Sequence, residues 1–407
     1  MRVLFVCHRY PFPPKRGGKI RPFNIIKHFT ESGHEVHVAS LVRSNEERLE
    51  GVGLEKFSAS AFHAQVSKPI QGLRMVGRLF TSTPSSMGYF YSRKLDHHIQ
   101  QLLVKHSFDL IFVHCSSVAQ YVKDVKGPLK HLDFGDMDSQ KWLEYSRYKP
   151  FPLSMGYLVE GKKLMAAERT LSTMFDQCSA TTRGELETLV ELNPSVRGSW
   201  FPNGVDAGFF KPTRNYDENL ISFVGRMDYF PNQEGVTRFV KDVFPLVKKV
   251  VPQAKFVVVG AEPTEAIKSL EAVEGVTVTG TVADVRPFIT NSVLNVAPLA
   301  IARGTQNKIL EAMAMGVPVV TSGPAAKGVD AVGGEHFEVA DEAHETADKI
   351  LSIMKNPVRR MQLANSGRDR VLSHHAWPSS MDRLDGIVRE LFVARSPNTP
   401  LNKLNRQ

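Results

Sequence analysis

SVLNVAPLAIARGTQNKILEAMAMGVPVVTS, residues 292–322, decides the fold. Its opening, SVLNVAP, is a short apolar run of the kind that forms a strand covered on both faces. QNKILEAMAMG (306–316) then reads as a helix closed by Gly316, since glycine accepts the left-handed backbone that ends a last turn. VPVVTS (317–322) is the strand after it. Strand, glycine-bearing loop, helix and strand make one unit of a doubly wound α/β domain.

Outward from that stretch the pattern repeats. LISFVGR (220–226) is a strand and tight turn, NQEGVTRFVKDVFPLVKKV (232–250) a helix with a basic final turn, and KFVVVG (255–260) and VTVTG (276–280) are strands. The first half opens the same way. MRVLFVC (1–7) is a buried strand, followed by a loop dense in Pro and Gly from His8 to Lys19. A helix comes next, with Pro22 in its first turn, Phe23, Ile26 and Phe29 at helical spacing, and Gly33 past its end. VHVASLV (36–42), DLIFVH (109–114) and HLDFGD (131–136) are further strands, and residues 141–198 read as mainly helical. Two Rossmann-like doubly wound domains facing across a cleft are expected: 1–200 and 201–376, joined at the turn-rich FPNGVD (201–206). A helix at 377–395 and a polar tail at 396–407, expected to be disordered, complete the chain.

Composition narrows the function. The 407 residues suit two domains, with 42% hydrophobic and 23% charged residues. Three cysteines without metal-site spacing argue against a disulfide framework and for a reducing cytoplasm. No signal peptide is read at the start, and no run approaches the roughly 20 apolar residues that span a bilayer. Net charge is +9, and residues 1–200 hold 27 Lys+Arg against 19 Asp+Glu. Lys56 to Leu95 contains Lys56, Lys68, Arg74, Arg78, Arg93 and Lys94 and no acid, which suits an anionic partner such as phospholipid head groups. Within it Ile70, Leu73, Val76, Leu79 and Phe80 approximate one helical stripe, the commoner meaning of which is a helix packed on its domain.

PPKRGG (13–18), PNGVD (202–206), FVGRM (223–227) and ARGTQNKILEAMAMGVPVV (302–320), in that order, resemble glycosyltransferase family 4 of the GT-B fold. VGRMDYFPNQEGV (224–236) and DMDSQKW (136–142) resemble, more narrowly, the sugar transferases found with PEP-CTERM and exosortase exopolysaccharide clusters. The resemblance covers almost the whole chain. It implies a retaining transfer from a nucleotide-diphosphate sugar, held by the second domain, to a saccharide or lipid-linked acceptor held by the first. It also implies that the aromatic start at HAW (375–377) opens a last helix crossing back to the first domain. Two positions depart from the pattern: Arg303 stands where the family has its first glutamate, and Asn232 or Gln233 where it has a lysine.

On these motifs the donor site is expected at Gly17, Gly18, Arg226, Gly304, Thr305, Gln306, Asn307, Lys308 and Glu311. The leaving diphosphate gains about one negative charge as the glycosidic bond breaks, so fixed cations and donors aimed there are the main catalytic term. Arg226 at a strand end, Arg303, Lys308 and a helix start are read in that role. Glu311 would accept from both ribose hydroxyls, although an exposed helix glutamate pairing with Lys308 would look the same. His114 ends a strand and is either a core histidine or a contact to the donor sugar or attacking hydroxyl. Asp136 and Asp138 are read as acceptor contacts; as a DxD metal motif they sit far in sequence from the phosphate site, so no metal and no cofactor are expected. The partners expected are the nucleotide-sugar, the acceptor and an anionic membrane surface, with no nucleic acid, at the inner face of the cytoplasmic membrane. A GT-B epimerase and a nucleotide-sugar-binding protein without transferase activity are the rival readings. A dehydrogenase is disfavoured, since no G-x-G-x-x-G follows the first strand.

Overall fold

The computed structural model describes residues 1–14, 17–66, 68–213 and 215–395; Lys15, Arg16 and the 396–407 tail lie outside the described residues. The chain divides into two compact units, Met1–Phe201 together with the chain from Met381 on, and Pro202–Ser380.

The first unit is built on seven parallel strands. They are β1 (Arg2–Cys7), β2 (Glu35–Val42), β3 (Ser60–Gln65), β4 (Leu110–His114), β5 (Leu129–Gly135), β6 (Gln177–Ala180) and β7 (Gly198–Trp200), in the order β3-β2-β1-β4-β5-β6-β7. β1 and β4 are buried almost throughout because helices cover both faces. Phe5 stacks on Phe112 with ring centres 5.2 Å apart, while Leu4, Val6, Ile111, Val113 and Leu132 fill a core on the other face. The register pairs Cys7 with His114 and His114 with Asp133, so β1, β4 and β5 end together. That carboxyl edge is where doubly wound sheets bind ligands.

The helices differ from expectation in two places. The first begins at Gly17, so Pro22 lies inside it, where a missing N–H removes a single bond of the helical ladder. The 141–198 stretch is mainly helical, as expected. It holds helices Asp138–Tyr148, Leu153–Ser172 and Arg183–Leu192 with the short strands β6 and β7 between and after them. The helix Lys68–Arg78 leaves Leu73, Val76, Leu79 and Phe80 exposed around its end, so its apolar stripe does not pack on the unit.

In the second unit β8 (Asp217–Val224), β9 (Lys255–Val259), β10 (Val276–Val278), β11 (Ser292–Ala297), β12 (Val319–Thr321) and β13 (Glu338–Val339) form a parallel sheet ordered β10-β9-β8-β11-β12-β13. Phe223, Phe239, Phe244 and Phe256 are fully enclosed beneath it, each burial worth about 1.5–3 kcal/mol. Gly225 and Gly260 leave adjacent strands side by side; a Cβ on Gly260 would fall 1.8 Å from the Gly225 carbonyl oxygen, so the turn accepts no side chain there. The expected 232–250 helix is divided: Phe230–Arg238, a π turn at Phe239–Val243, and Phe244–Val250. The two ends of this unit are fastened together. Ser380 donates its hydroxyl to the Pro202 carbonyl, Val205 bridges to Ala376, and Gly204 lies so close to Trp377 that no Cβ would fit. The last helix, Trp377–Arg395, has its later turns in the first unit, where His28 meets Asp385 at 2.9 Å.

Candidate functional site

Two polar clusters stand at strand ends, one in each unit. In the second unit Gly225 ends β8, and the helix Asn307–Ala314 brings Lys308 above it: a Cβ on Gly225 would lie 3.2 Å from the Lys308 Nζ. Lys308 donates to the Asn232 side-chain oxygen at 2.6 Å, and the Asn232 amide donates to the Arg226 carbonyl at 2.8 Å. Asn232, 4% exposed, therefore ties the strand end to the lysine. Burial pushes the Lys308 ammonium down to about 7, opposed by Glu311, and pushes the Glu311 carboxyl up to about 7, opposed by Lys308. Two groups so poised change charge readily when an ion arrives beside them.

The loop before this helix holds bonding capacity in reserve. Gly304 has φ +62°, and a Cβ on Gly328 would fall 2.2 Å from the Gly304 carbonyl oxygen. Gln306 donates to the Arg303 carbonyl at 3.0 Å. Thr305 Oγ1 and Asn307 Oδ1 are buried with no hydrogen-bond partner among the described residues, at the end of a helix whose first N–H groups point outward. Arg226 is placed differently from a free phosphate clamp. Its guanidinium is shared between Asp228, at 2.9 and 2.8 Å, and Glu262, at 2.5 Å. Arg303 is half-buried in the same loop.

The first-unit cluster is knitted from inside. Asp133 in β5 is wholly buried and accepts both prongs of Arg21, at 2.8 and 2.9 Å, and the Ser179 hydroxyl at 3.0 Å. Arg21 also donates to the Phe201 carbonyl at 3.0 Å and lies 3.7 Å over that ring. Although burial opposes it, the arginine holds the Asp133 carboxyl far below the usual carboxylate range. His114 Nδ1 lies 2.8 Å from Asp133 Oδ2, so Nδ1–H donates to the carboxylate, which fixes the orientation of the ring. His8 faces His114 at 5.9 Å between ring centres; burial, then Arg9, keeps it well below its ordinary range, and its Nδ1 has no partner among the described residues.

Gly17 starts the first helix, and Gly18 after it lies against Arg9, whose Nη1 would be 3.5 Å from a Cβ there. Lys19, by contrast, turns inward to Glu47 at 2.8 Å. Asp136 is exposed and accepts from the Thr181 hydroxyl at 2.7 Å; Asp138 opens a helix, its carboxyl raised by burial and lowered in part by Lys141. Among the described residues the groupings with metal-ligand atoms close together are His8–His114–Cys115 and Glu35–His37–His106, and neither includes Asp136 or Asp138. Burial next to Asp138 and Asp133 raises the Cys115 thiol well above its ordinary range, which makes it a poor ligand as it stands.

The structure thus joins Lys308, Glu311, Asn232 and the Gly225–Arg226 turn, and separately His114 with Asp136 and Asp138 at one edge. His8, Arg21 and Asp133 complete the second group, although sequence reasoning passed them over. A lone acid inside the apolar strand HLDFG was the available signal, because a buried carboxylate demands a partner.

Residues 218–356 match the family described as Glycosyl transferases group 1. No curated protein is similar enough in sequence to match the chain. Among solved structures, sucrose-phosphate synthase from Thermosynechococcus elongatus superposes with a TM-score of 0.69 at 14% identity, over 97% of this chain and 100% of that one. HepE of Anabaena, solved with UDP, gives 0.67 at 13% identity over 96% and 100%. TarM gives 0.69 at 10% identity over 95% and 98%. Two parallel Rossmann-like sheets and these full-length superpositions give the chain the GT-B fold, and the segment similar to glycosyl transferases group 1 covers most of its second unit.

Proposed function

We propose that the protein is a retaining glycosyltransferase of family 4. It would transfer a hexose from a nucleotide-diphosphate sugar to a saccharide or lipid-linked acceptor in exopolysaccharide synthesis, as in the PEP-CTERM-associated subgroup. One observation carries the reading. A half-buried lysine near neutrality, a half-buried glutamate near neutrality and two unpartnered polar groups converge on a helix start beside a side-chain-free turn. A diphosphate would take the Lys308 ammonium and the free N–H groups, and ribose hydroxyls would meet Glu311. Thr305, Gln306 and Asn307 would border the phosphates, Arg303 would add charge, and Gly17 and Gly18 would allow close approach in the first unit. HepE, which is solved with UDP and UDP-glucose, supports a uridine donor by analogy.

The acceptor is assigned to the first unit, with His114, Asp136 and Asp138 as its contacts. The departing phosphate takes the acceptor's proton in a front-face reaction, and no metal is needed because fixed cations meet the charge. The protein works at the inner face of the cytoplasmic membrane; among the described residues no helix is long and apolar enough to cross one. A second reading, donor binding without transfer, draws on Arg226, whose guanidinium is already committed to Asp228 and Glu262. A thermal-shift panel of UDP-, GDP- and ADP-sugars tests the first step, because a ligand at 100 times Kd stabilises by about 2.7 kcal/mol. One nucleotide class should raise Tm with or without EDTA. Stabilisation that vanishes with EDTA and returns with magnesium would overturn metal independence, and specific binding without product would favour the second reading.

A further inference from the structure

The helix Lys68–Arg78 wears its apolar side outward. Arg74 sets its guanidinium 5.3 Å over the Tyr91 ring and donates to the Tyr91 carbonyl. Arg78 packs against Gly88, where a Cβ would come within 2.9 Å of the arginine Cδ. Leu73 and Phe80 meanwhile stand 75% and 94% exposed. Burying such side chains is the main gain of folding, so leaving them in water wants a second reason.

A second outward apolar point lies on the same unit. The turn between helices Asp138–Tyr148 and Leu153–Ser172 exposes Phe151 by 81%, with Leu153 and Met155 beside it. Lys163, about three turns along the second of these helices, donates from Nζ to the carbonyls of Arg78 at 3.0 Å and Leu79 at 2.7 Å, so that helix meets the end of Lys68–Arg78. Val159, one helical turn before Lys163, is also exposed. The charges around this face are of one sign. Residues 147–163 hold Arg147, Lys149, Lys162 and Lys163 and a single acid, Glu160. Glu160 is buried, its carboxylate accepting the backbone N–H groups of Ser85 and Ser86 at 2.9 and 2.8 Å. Residues 56–95 contain no acid at all.

We infer that this face docks on an anionic lipid bilayer. Phe80 and Phe151 enter the boundary between head groups and acyl chains, while Arg147 and Lys162 meet lipid phosphates. Exposed aromatic tips carried by stretches rich in cations and without an exposed carboxylate have the chemistry of that surface. The inference gives a location to the membrane contact in the proposed function and rests on that part of it. It also replaces Arg74 and Arg78 as the expected lipid contacts, since both are turned toward their own unit.

Co-sedimentation with vesicles of phosphatidylglycerol in phosphatidylcholine, against phosphatidylcholine alone, provides the test. The full chain should partition onto the anionic vesicles at low salt and leave them at high salt. Phe80→Ser with Phe151→Ser should lower that partition by about tenfold or more, and Lys162→Glu by a few fold. Both changes fall on exposed side chains, so Tm and the nucleotide-sugar thermal shift should stay at wild-type values; this keeps a failure here separate from a failure of the donor site. A wild type that ignores anionic vesicles at low salt overturns the inference. Undiminished binding by the double serine variant overturns the surface assignment. A wild-type dimer abolished by Phe80→Ser would give the face to a second copy of the chain instead.

Discussion

The two strand-end clusters handle buried charge in opposite ways. Around Asp133 each carboxylate oxygen is taken, by Arg21 with His114 on one and Arg21 with Ser179 on the other. Around Lys308, among the described residues, the ammonium donates to a neutral side-chain amide, that of Asn232, and Thr305 and Asn307 keep unused oxygens close by. A saturated cluster orients groups and resists change. An unsaturated one stores interactions that a ligand completes. The difference assigns His114 a fixed posture and Lys308 an adjustable charge.

The largest expected effect strikes the saturated side. Asp133→Asn leaves the Arg21 guanidinium buried without its counter-ion, which should cost about 3–5 kcal/mol, or on the order of 10 °C in Tm. Lys308→Ala should cost less, about 1–2 kcal/mol, because it breaks a hydrogen bond to the neutral Asn232 amide and no ion pair. Calorimetric unfolding of both variants checks the contrast, and equal Tm losses would erase it.

Donor affinity should respond in the reverse order. Lys308→Ala is expected to weaken nucleotide-sugar binding by about ten- to a hundredfold, the scale of one charge-assisted hydrogen bond, whereas Asp133→Asn should act mainly through stability. The wild-type affinity should also be bell-shaped in pH with its maximum near 7. Lys308 binds phosphate as the ammonium, so affinity falls as pH rises through about 7; Glu311 accepts ribose hydroxyls as the carboxylate, so affinity falls as pH drops through about 7. Glu311→Gln should remove the acid limb and leave the alkaline one. Isothermal titration across pH 5 to about 9 reads both limbs, and a flat profile would mean that neither group touches the donor.

The smallest effect belongs to Arg226. With its fork held by Asp228 and Glu262 at a side-chain exposure of 40%, Arg226→Ala should weaken donor binding by at most about fivefold. A loss as large as that of Lys308→Ala would show that the ion pairs open to receive the phosphate.

What the sequence made legible follows from which signals are local. Unalternating runs such as FVVV in β9 and LFVC in β1 announce sheets covered on both faces, and Gly225 and Gly304 mark turns where backbone must come close. β6 and β7, of four and three residues, are too short to carry a period and vanish among neighbouring helices. The spacing of Leu73, Val76 and Phe80 told which residues share a face of the helix, but not that the face would look outward. Asp133 was passed over because its partners Arg21 and Ser179 stand far away in the chain, at separations of 112 and 46 residues. Glu311 and Lys308 were visible as a motif, but their shifted charge states were not, since those depend on burial.

The clasp between Pro202 and Ser380 carries a consequence for descent. A unit whose entry and exit are fastened to each other behaves as a cassette: it can be cut out, expressed alone, or exchanged for a relative's, and the severed flanks need only a short splice. Lineages that keep one acceptor while changing nucleotide would then recombine at these two residues, so breakpoints among homologous genes should gather near codons 202 and 380.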